Sequence, residues 1–131
     1  MCLSNPKPIS LKRKRSGYGY KVFLLYNNRI QFEWGSLGGK HECPAGEWLV
    51  AGETGSGYAD IRGVHRPGFH IFKSRKAAAA YAYAGPSTSR VIKVRYSGAF
   101  VEGLQDNKFS ALVADRMYVP KSELRRVRKT R

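Results

Sequence analysis

The chain has 131 residues, of which 42% are hydrophobic, and this is enough for one domain with its own core. No apolar run approaches the roughly 18 to 20 residues of a membrane span, and the basic N-terminus lacks the apolar segment of a signal peptide. Two cysteines, Cys2 and Cys43, are too few for a disulfide framework. We therefore expect a cytoplasmic protein that is neither exported nor embedded in a membrane.

The net charge of +15 is concentrated near the two ends of the sequence. Residues 1–15 carry five cations and no acid, and residues 121–131 carry six cations and one acid. Blocks of like charge are usually solvated arms that attract phosphate. We predict a basic arm over residues 1–17, one domain over residues 18–120 and a basic helix or tail over residues 121–131. The alternative interpretation is that this charge serves solubility alone.

The first predicted element is a β-hairpin. Tyr20–Tyr26 is rich in β-forming residues, and Asn27-Asn28 follows at once. Arg29–Trp34 then alternates, with Ile30, Phe32 and Trp34 expected to point inward. From residue 35 to residue 67 glycines interrupt every pattern except the short strand Trp48–Val50, and such a long connection is more often functional than idle.

A strand, a helix and a second strand are predicted next. Pro67-Gly68 reads as a turn before the strand Phe69–Phe72. Ser74 is a good N-cap for an Ala-rich helix that Gly85-Pro86 would end, with Gly85 in the left-handed conformation. The helix would bury the face formed by Ala77, Ala80, Tyr81 and Ala84.

The strand Val91–Tyr96 alternates between apolar and basic residues. Ile92, Val94 and Tyr96 share one side, and Lys93 and Arg95 share the other. We expect the helix to cover the apolar side, which would leave the basic side to solvent or to a partner.

The remaining pattern predicts a bend at Gly98, a turn at Asp106-Asn107, a buried strand over Phe109–Val119 and a short helix Lys121–Val127 after Pro120. The predicted fold class is α+β: a small mixed or antiparallel sheet of five to seven short strands with one central Ala-rich helix and a short C-terminal helix.

Basic residues interleaved with aromatic residues are the main candidate site. Cations in the first turn of the central helix are unfavourable for the helix alone, which points to an anionic partner. The predicted nucleic-acid-binding residues are Lys12, Arg13, Lys14, Arg15, Lys73, Arg75, Lys76, Arg95, Arg125, Arg126 and Arg128. Tyr18, Tyr20, Tyr58 and Tyr83 would stack on bases if they are exposed, and would otherwise belong to the core.

Other chemistry has weaker support. His41, Cys43, His65 and His70 lack the paired spacing of a zinc site. Gly55-Ser56-Gly57 lacks the rest of a phosphate-binding motif, and no base neighbours Cys43 in sequence. We expect no metal and no cofactor.

Several short motifs resemble those of small uncharacterised bacteriophage proteins: Tyr20–Phe23, Gly68–Phe72, Ala78 with Tyr81-Ala82, and Val91–Val94. The likeness covers roughly residues 18–120 and implies a phage or prophage origin without an established activity. The strand–helix–strand unit is also similar to ADP-ribosyltransferase-type folds, including RNA 2′-phosphotransferases. That resemblance implies a cleft for a phosphorylated or dinucleotide ligand, lined by Arg62, His65, Arg66 and His70, with Glu102 as the late catalytic acid.

The sequence thus predicts a non-enzymatic accessory protein that binds RNA, DNA or a nucleoprotein complex. A second hypothesis is an inhibitor that docks on a host or defence protein, such as a nucleic-acid-guided nuclease, through Arg29, Lys73 and Arg95. A third is a nicotinamide-using transferase or its inactive relative.

Overall fold

The computed structural model of the chain describes residues 3–10, 15–32, 42–53, 57–61 and 64–129. They contain the strands β1 (Ser4–Pro8), β2 (Gly17–Tyr26), β3 (Arg29–Phe32), β4 (Trp48–Val50), β5 (Gly57–Ile61), β6 (Val64–Phe72), β7 (Ser89–Gln105) and β8 (Phe109–Tyr118), and the helices α1 (Arg75–Tyr83) and α2 (Lys121–Lys129). The α+β class is confirmed, with one strand more than the expected upper limit of seven. All the pairings between these strands are antiparallel.

Strand β7 organises the sheet because it pairs with two strands in succession. Its first half pairs with β2 and its second half with β8. β8 also pairs with β6, and β6 meets β2 at Tyr20 and Phe72, so β7, β2, β6 and β8 close into a ring. The other strands extend this ring, β1 along β7, β3 along β2, β4 along β8 and β5 along β6.

The change of partner along β7 takes place at a bend. Gly98 has φ of +69°, a conformation that glycine adopts at little cost, and a β-bulge lies between Ala99 and Val101. The bend predicted at Gly98 is therefore confirmed.

Ring closure creates two apolar clusters. The inner core lies between the strands and includes Phe23, Phe69, Ile71, Ile92 and Met117, all fully buried. The outer core lies under α1 and includes Val22, Phe72, Ala78, Val101 and Val113. Each strand of the ring therefore has buried residues on both faces over part of its length.

The predicted packing of the helix was wrong. Ile92 and Val94 face the inner core, whereas Ala78 of α1 packs with Val22 on the opposite face of the sheet, the one that also carries Lys93 and Arg95. The reason is tertiary: because the strands close into a ring, they cover the Ile92 side themselves, and the helix covers the outside.

The buried face and the end of α1 also differ from the prediction. Ala78 is fully buried and Ala77, Tyr81 and Ala82 pack beside it, whereas Ala80 and Ala84 are exposed. Ser74 is the N-cap, as predicted, and its side chain accepts a hydrogen bond from the Ala77 N–H. Gly85 has no positive φ. This is consistent with the following Pro86, which favours an extended conformation for the residue before it.

The predicted hairpin is confirmed. Tyr26 pairs with Arg29 across Asn27 and Asn28, which have φ of 51° and 63° as a two-residue type I′ turn requires. Ile30 and Phe32 are buried, and Trp34 lies outside the described residues.

Later turns and strands give a mixed outcome. The turn at Asp106-Asn107 is confirmed, with φ of 53° and 59°, as are the strands at Trp48–Val50 and Phe109–Tyr118. The turn predicted at Pro67-Gly68 was wrong, because both residues lie inside β6, where Gly68 faces Gly57 of β5.

The expected short C-terminal helix is confirmed, and part of the expected basic N-terminal arm is folded as a strand. Ser4–Pro8 forms β1 on the edge of β7, with Leu3 and Ile9 buried on either side of it. Lys121–Lys129 forms α2, whose Val127 is fully buried in the inner core. No helix among the described residues is long and apolar enough to cross a bilayer.

Candidate nucleic-acid interface

Four neighbouring strands place one row of side chains across the outer face of the sheet. Trp48 of β4 lies opposite Tyr118 of β8, Tyr118 lies opposite Arg95 of β7, and Arg95 lies opposite Tyr18 of β2. Directly opposed residues in an antiparallel sheet share a face. With neighbouring strands about 4.8 Å apart, the row is about 14 Å long.

Arg95 lies among the three rings of this row. Its Cζ is 5.5 Å from the ring centre of Trp48, 5.8 Å from that of Tyr18 and 6.0 Å from that of Tyr118. The Trp48 and Tyr118 rings are themselves 5.6 Å apart and tilted by 45°. These distances are within the range of cation–π and aromatic contacts, so the rings hold the guanidinium in place without a carboxylate.

The rings are open to solvent. Tyr18 is 60% exposed and Trp48 is 44% exposed, while Tyr118 is half-buried. Aromatic side chains that serve only to fill a core are seldom this exposed. Part of each ring is therefore accessible to a ligand, beside the cations that lie over it.

Further cations lie on both sides of the row. Lys93 precedes Arg95 by two residues on the same face, and its Nζ is 4.9 Å from the Tyr18 ring centre. Arg116 lies two residues from Tyr118 and opposite Ser97. We call the set Tyr18, Trp48, Lys93, Arg95, Arg116 and Tyr118 the aromatic–basic surface. Next to it, Arg75 at the start of α1 lies 4.9 Å from the Tyr20 ring centre.

Four carboxylates among the described residues pair with cations outside this surface. Arg66 binds Asp115 at 2.7 Å, Lys73 binds Glu102 at 2.6 Å, Arg126 binds Glu123 at 3.0 Å and Arg29 binds Glu42 at 3.4 Å. In the described part of the chain, no ion pair links Lys93, Arg95 or Arg116 to an acid. The aromatic–basic surface therefore keeps its positive charge.

The predicted basic residues differ in where the structure places them. Lys12, Arg13 and Lys14 lie outside the described residues. Arg75, Lys76, Arg95 and Arg125 are exposed, and Arg75 and Arg95 belong to or adjoin the aromatic–basic surface.

The other predicted cations hold parts of the fold together. Arg15 donates to the Ala99 carbonyl at 2.7 Å, and Arg128 donates to the Asn28 carbonyl at 2.6 Å. Arg126 donates to the Val91 carbonyl at 2.8 Å and to Glu123, and Lys73 is paired with Glu102.

Helix α2 fixes the part of β7 that carries Lys93. The Lys93 backbone N–H donates to Glu123 at 2.8 Å, so α2 occupies the β7 edge that β8 leaves open. Partial burial favours the protonated carboxyl, but hydrogen bonds from Arg126 and from the Lys93 backbone hold the pKa of Glu123 below its ordinary value. The helix thus holds this stretch of β7, and the cations on it, through hydrogen bonds to Lys93 and Val91.

Sites for other chemistry have less support in the structure. A cleft of ≈300 Å³ is lined by Tyr18, Lys73, Tyr96 and Glu102, but Glu102, the expected catalytic acid, is paired with Lys73. Arg66, expected to line a ligand cleft, is paired with Asp115. Burial, with a smaller contribution from Glu102, raises the pKa of Tyr96. Arg62 and the His65 side chain lie outside the described residues.

Cys43 is unsuited to nucleophilic attack. It is 3% exposed, and burial raises the pKa of its thiol to about 12. No group of three possible metal ligands occurs among the described residues.

Sequence reasoning named Tyr18, Lys93 and Arg95 but missed Trp48, Tyr118 and Arg116. A signal was present, since Trp48 begins a short strand and Arg116 and Tyr118 alternate with the apolar Met117. What was missing is the pairing of β4 and β7 with β8, which brings these residues into one row.

Comparisons with family models, with curated proteins and with solved structures found no match for this chain. The function is therefore inferred from the geometry of the chain itself.

Proposed function

We propose that this protein is a non-enzymatic nucleic-acid-binding protein and that the aromatic–basic surface is its binding site. The observation that carries the proposal is Arg95 held among three aromatic rings, with Lys93 and Arg116 beside it and no carboxylate paired with any of the three cations in the described residues. Exposed aromatic rings combined with unpaired cations suit a ligand that has flat bases and negative phosphates.

The fold supports this proposal by carrying the surface on paired strands against which both helices pack. The Ala-rich helix α1 packs closely over the neighbouring part of the same face, with Ala78 fully buried, and so places Arg75 beside Tyr20. Helix α2 fixes the other edge of β7 through Glu123. The binding residues are thus carried by packed strands and not by loops.

Most of the affinity would come from neutralised phosphates and released counterions. The remaining basic charge, including Lys12, Arg13 and Lys14, would add attraction at longer range. On this proposal the surface positions the ligand, and the charge of the whole molecule increases the rate of encounter.

The test removes the charge of the surface by substitution, because truncating residues 1–15 or 121–131 would also remove β1 or α2. The triple variant Lys93→Gln, Arg95→Gln, Arg116→Gln is compared with a control of equal net charge, Lys7→Gln, Lys108→Gln, Lys129→Gln, at exposed positions outside the surface. Binding of RNA and DNA oligomers is titrated against salt for both.

We expect the surface variant to lose about 2 units of the log–log salt slope, since each phosphate contact contributes about 0.7 to 0.9, and the control to lose much less. Equal losses would mean that only net charge matters and would contradict the proposed site. Absence of binding by the wild-type protein at physiological salt would overturn the function itself. The inhibitor hypothesis would then lead, because aromatic residues and arginine are also enriched at protein–protein interfaces.

A further inference from the structure

We infer that the aromatic–basic surface binds unpaired nucleotides, so that the ligand is single-stranded RNA or DNA and not a duplex. This inference rests on the proposed function and adds the class of nucleic acid to it.

The first argument concerns the faces of the rings. Tyr18 and Trp48 are exposed by 60% and 44%, and the row they occupy lies on the open face of a sheet. A base in a duplex has both faces covered by its neighbours in the stack, whereas an unpaired base can place a face against a protein ring. Only an unpaired strand can use the surface in this way.

The second argument concerns shape. Duplex DNA is usually read by a helix or a two-stranded ribbon that enters the major groove, which is about 12 Å wide. The row of Trp48, Tyr118, Arg95 and Tyr18 instead crosses four strands over about 14 Å of sheet. Such a surface is too broad to enter a groove, but it suits about two or three bases lying flat across it.

The third argument concerns the arrangement of charge. Lys93 lies on one side of the row and Arg116 on the other, while Arg95 lies within it. Phosphates of a strand that crosses the sheet along the row would meet a cation on either side. The Arg95 guanidinium plane would add a further stacking surface among the rings.

The experiment compares four probes of equal length: a single-stranded RNA, a single-stranded DNA, the duplex of the same DNA sequence, and an abasic DNA strand that keeps the phosphates but lacks bases. The chain contains two tryptophans, Trp34 and Trp48, so a Trp34→Phe background makes Trp48 the sole tryptophan. Affinity and quenching of Trp48 fluorescence are measured together.

We expect one or both single strands to bind at least about tenfold more tightly than the abasic strand and the duplex, with quenching of Trp48 only on binding of strands that carry bases. The relative affinity of the RNA and the DNA shows which kind of single strand the protein prefers. Tyr18→Ala should weaken single-strand binding about tenfold, whereas Tyr26→Ala, at a 44% exposed tyrosine at the other end of β2 and outside the surface, should not.

Equal binding of the duplex, the abasic strand and the single strands, without quenching of Trp48, would overturn the single-strand inference while leaving nucleic-acid binding intact. Binding of none of the four probes would overturn both. A Tyr18→Ala protein that has lost the wild-type circular dichroism spectrum is replaced by Tyr18→Leu, which keeps an apolar side chain without a ring to stack.

Discussion

Arg95 shows how one residue obtains its role from its neighbours across the sheet. Alternation in β7 turns Val94 inward and Arg95 outward, and the pairing of β7 with both β2 and β8 then places rings on either side of the guanidinium. A planar guanidinium stacks flat on rings, whereas a lysine ammonium in the same place keeps the charge and a cation–π attraction but cannot stack. The two contributions can therefore be separated at this position.

We predict that Arg95→Lys keeps the salt slope of nucleic-acid binding but weakens binding about twofold to fivefold, since the lost stacking of the planar group contributes about 0.5 to 1 kcal/mol. Arg95→Gln should lose both affinity and slope. The measurement is a salt titration of all three proteins with one oligomer. Full recovery of affinity in Arg95→Lys would show that the planar group has no part in binding.

Ser74 is a second residue with a local role, because its side chain accepts the Ala77 N–H at 3.1 Å and so satisfies one free amide of α1. We predict that Ser74→Ala lowers the free energy of unfolding by about 1 kcal/mol, measured by urea denaturation. Ser87→Ala, at an exposed loop serine, is the control and should change it little. Equal values for the two variants would show that the cap contributes nothing.

At the scale of elements, α2 packs against the sheet and does not extend into solvent as a tail. It buries Val127, and through Glu123 and Arg126 it satisfies the Lys93 N–H and the Val91 carbonyl on an edge that β8 does not cover. An open edge of this kind is prone to pair with another chain, so α2 also protects the sheet from association.

The Glu123 contact predicts a pH dependence. Its pKa is lower in the folded protein than the ordinary 4.5, so its stabilisation is complete above that pH and is lost as the pH falls through the folded pKa. We expect Glu123→Gln to be less stable than the wild type by about 1 kcal/mol at pH 7, and this difference to disappear in acid. Urea denaturation of both proteins across this pH range is the measurement, and a constant difference would contradict the mechanism.

At the scale of the whole molecule, the ring of β7, β2, β6 and β8 closes at one narrow place. β2 and β6 pair only at Tyr20 and Phe72. A Cβ on Gly19 would overlap the Ile71 Cγ2 and lie 3.0 Å from the Phe72 carbonyl oxygen. Glycine is required here because the fully buried Ile71 side chain and the Phe72 backbone leave no room for a Cβ.

We therefore predict that Gly19→Ala destabilises the protein by about 1 to 3 kcal/mol, because the strands must separate to admit the methyl group. The control is Gly85→Ala, at an exposed glycine that follows α1 and has no positive φ. Thermal or urea unfolding measures both. If Gly19→Ala is as stable as the wild type, the strands do not meet as closely as described.

The sequence alone determined the elements that depend on near neighbours. The Asn27-Asn28 turn, the Ser74 cap, the bend at Gly98 and the strand Trp48–Val50 follow from local preferences for backbone angles, capping and side-chain alternation. It also determined that the protein is strongly basic, with a net charge of +15.

Only the tertiary structure decided which faces meet. Alternation in β7 separates Ile92 and Val94 from Lys93 and Arg95, but it does not say which side a helix will cover. Because the strands close into a ring, Ile92 packs against other strands in the inner core, and α1 covers the opposite face of the sheet. Strand register likewise assembled Trp48, Tyr118, Arg95 and Tyr18, which lie up to 100 residues apart in the chain, into one row. Pairings at such separations depend on the packing of the whole chain, and no local pattern encodes them.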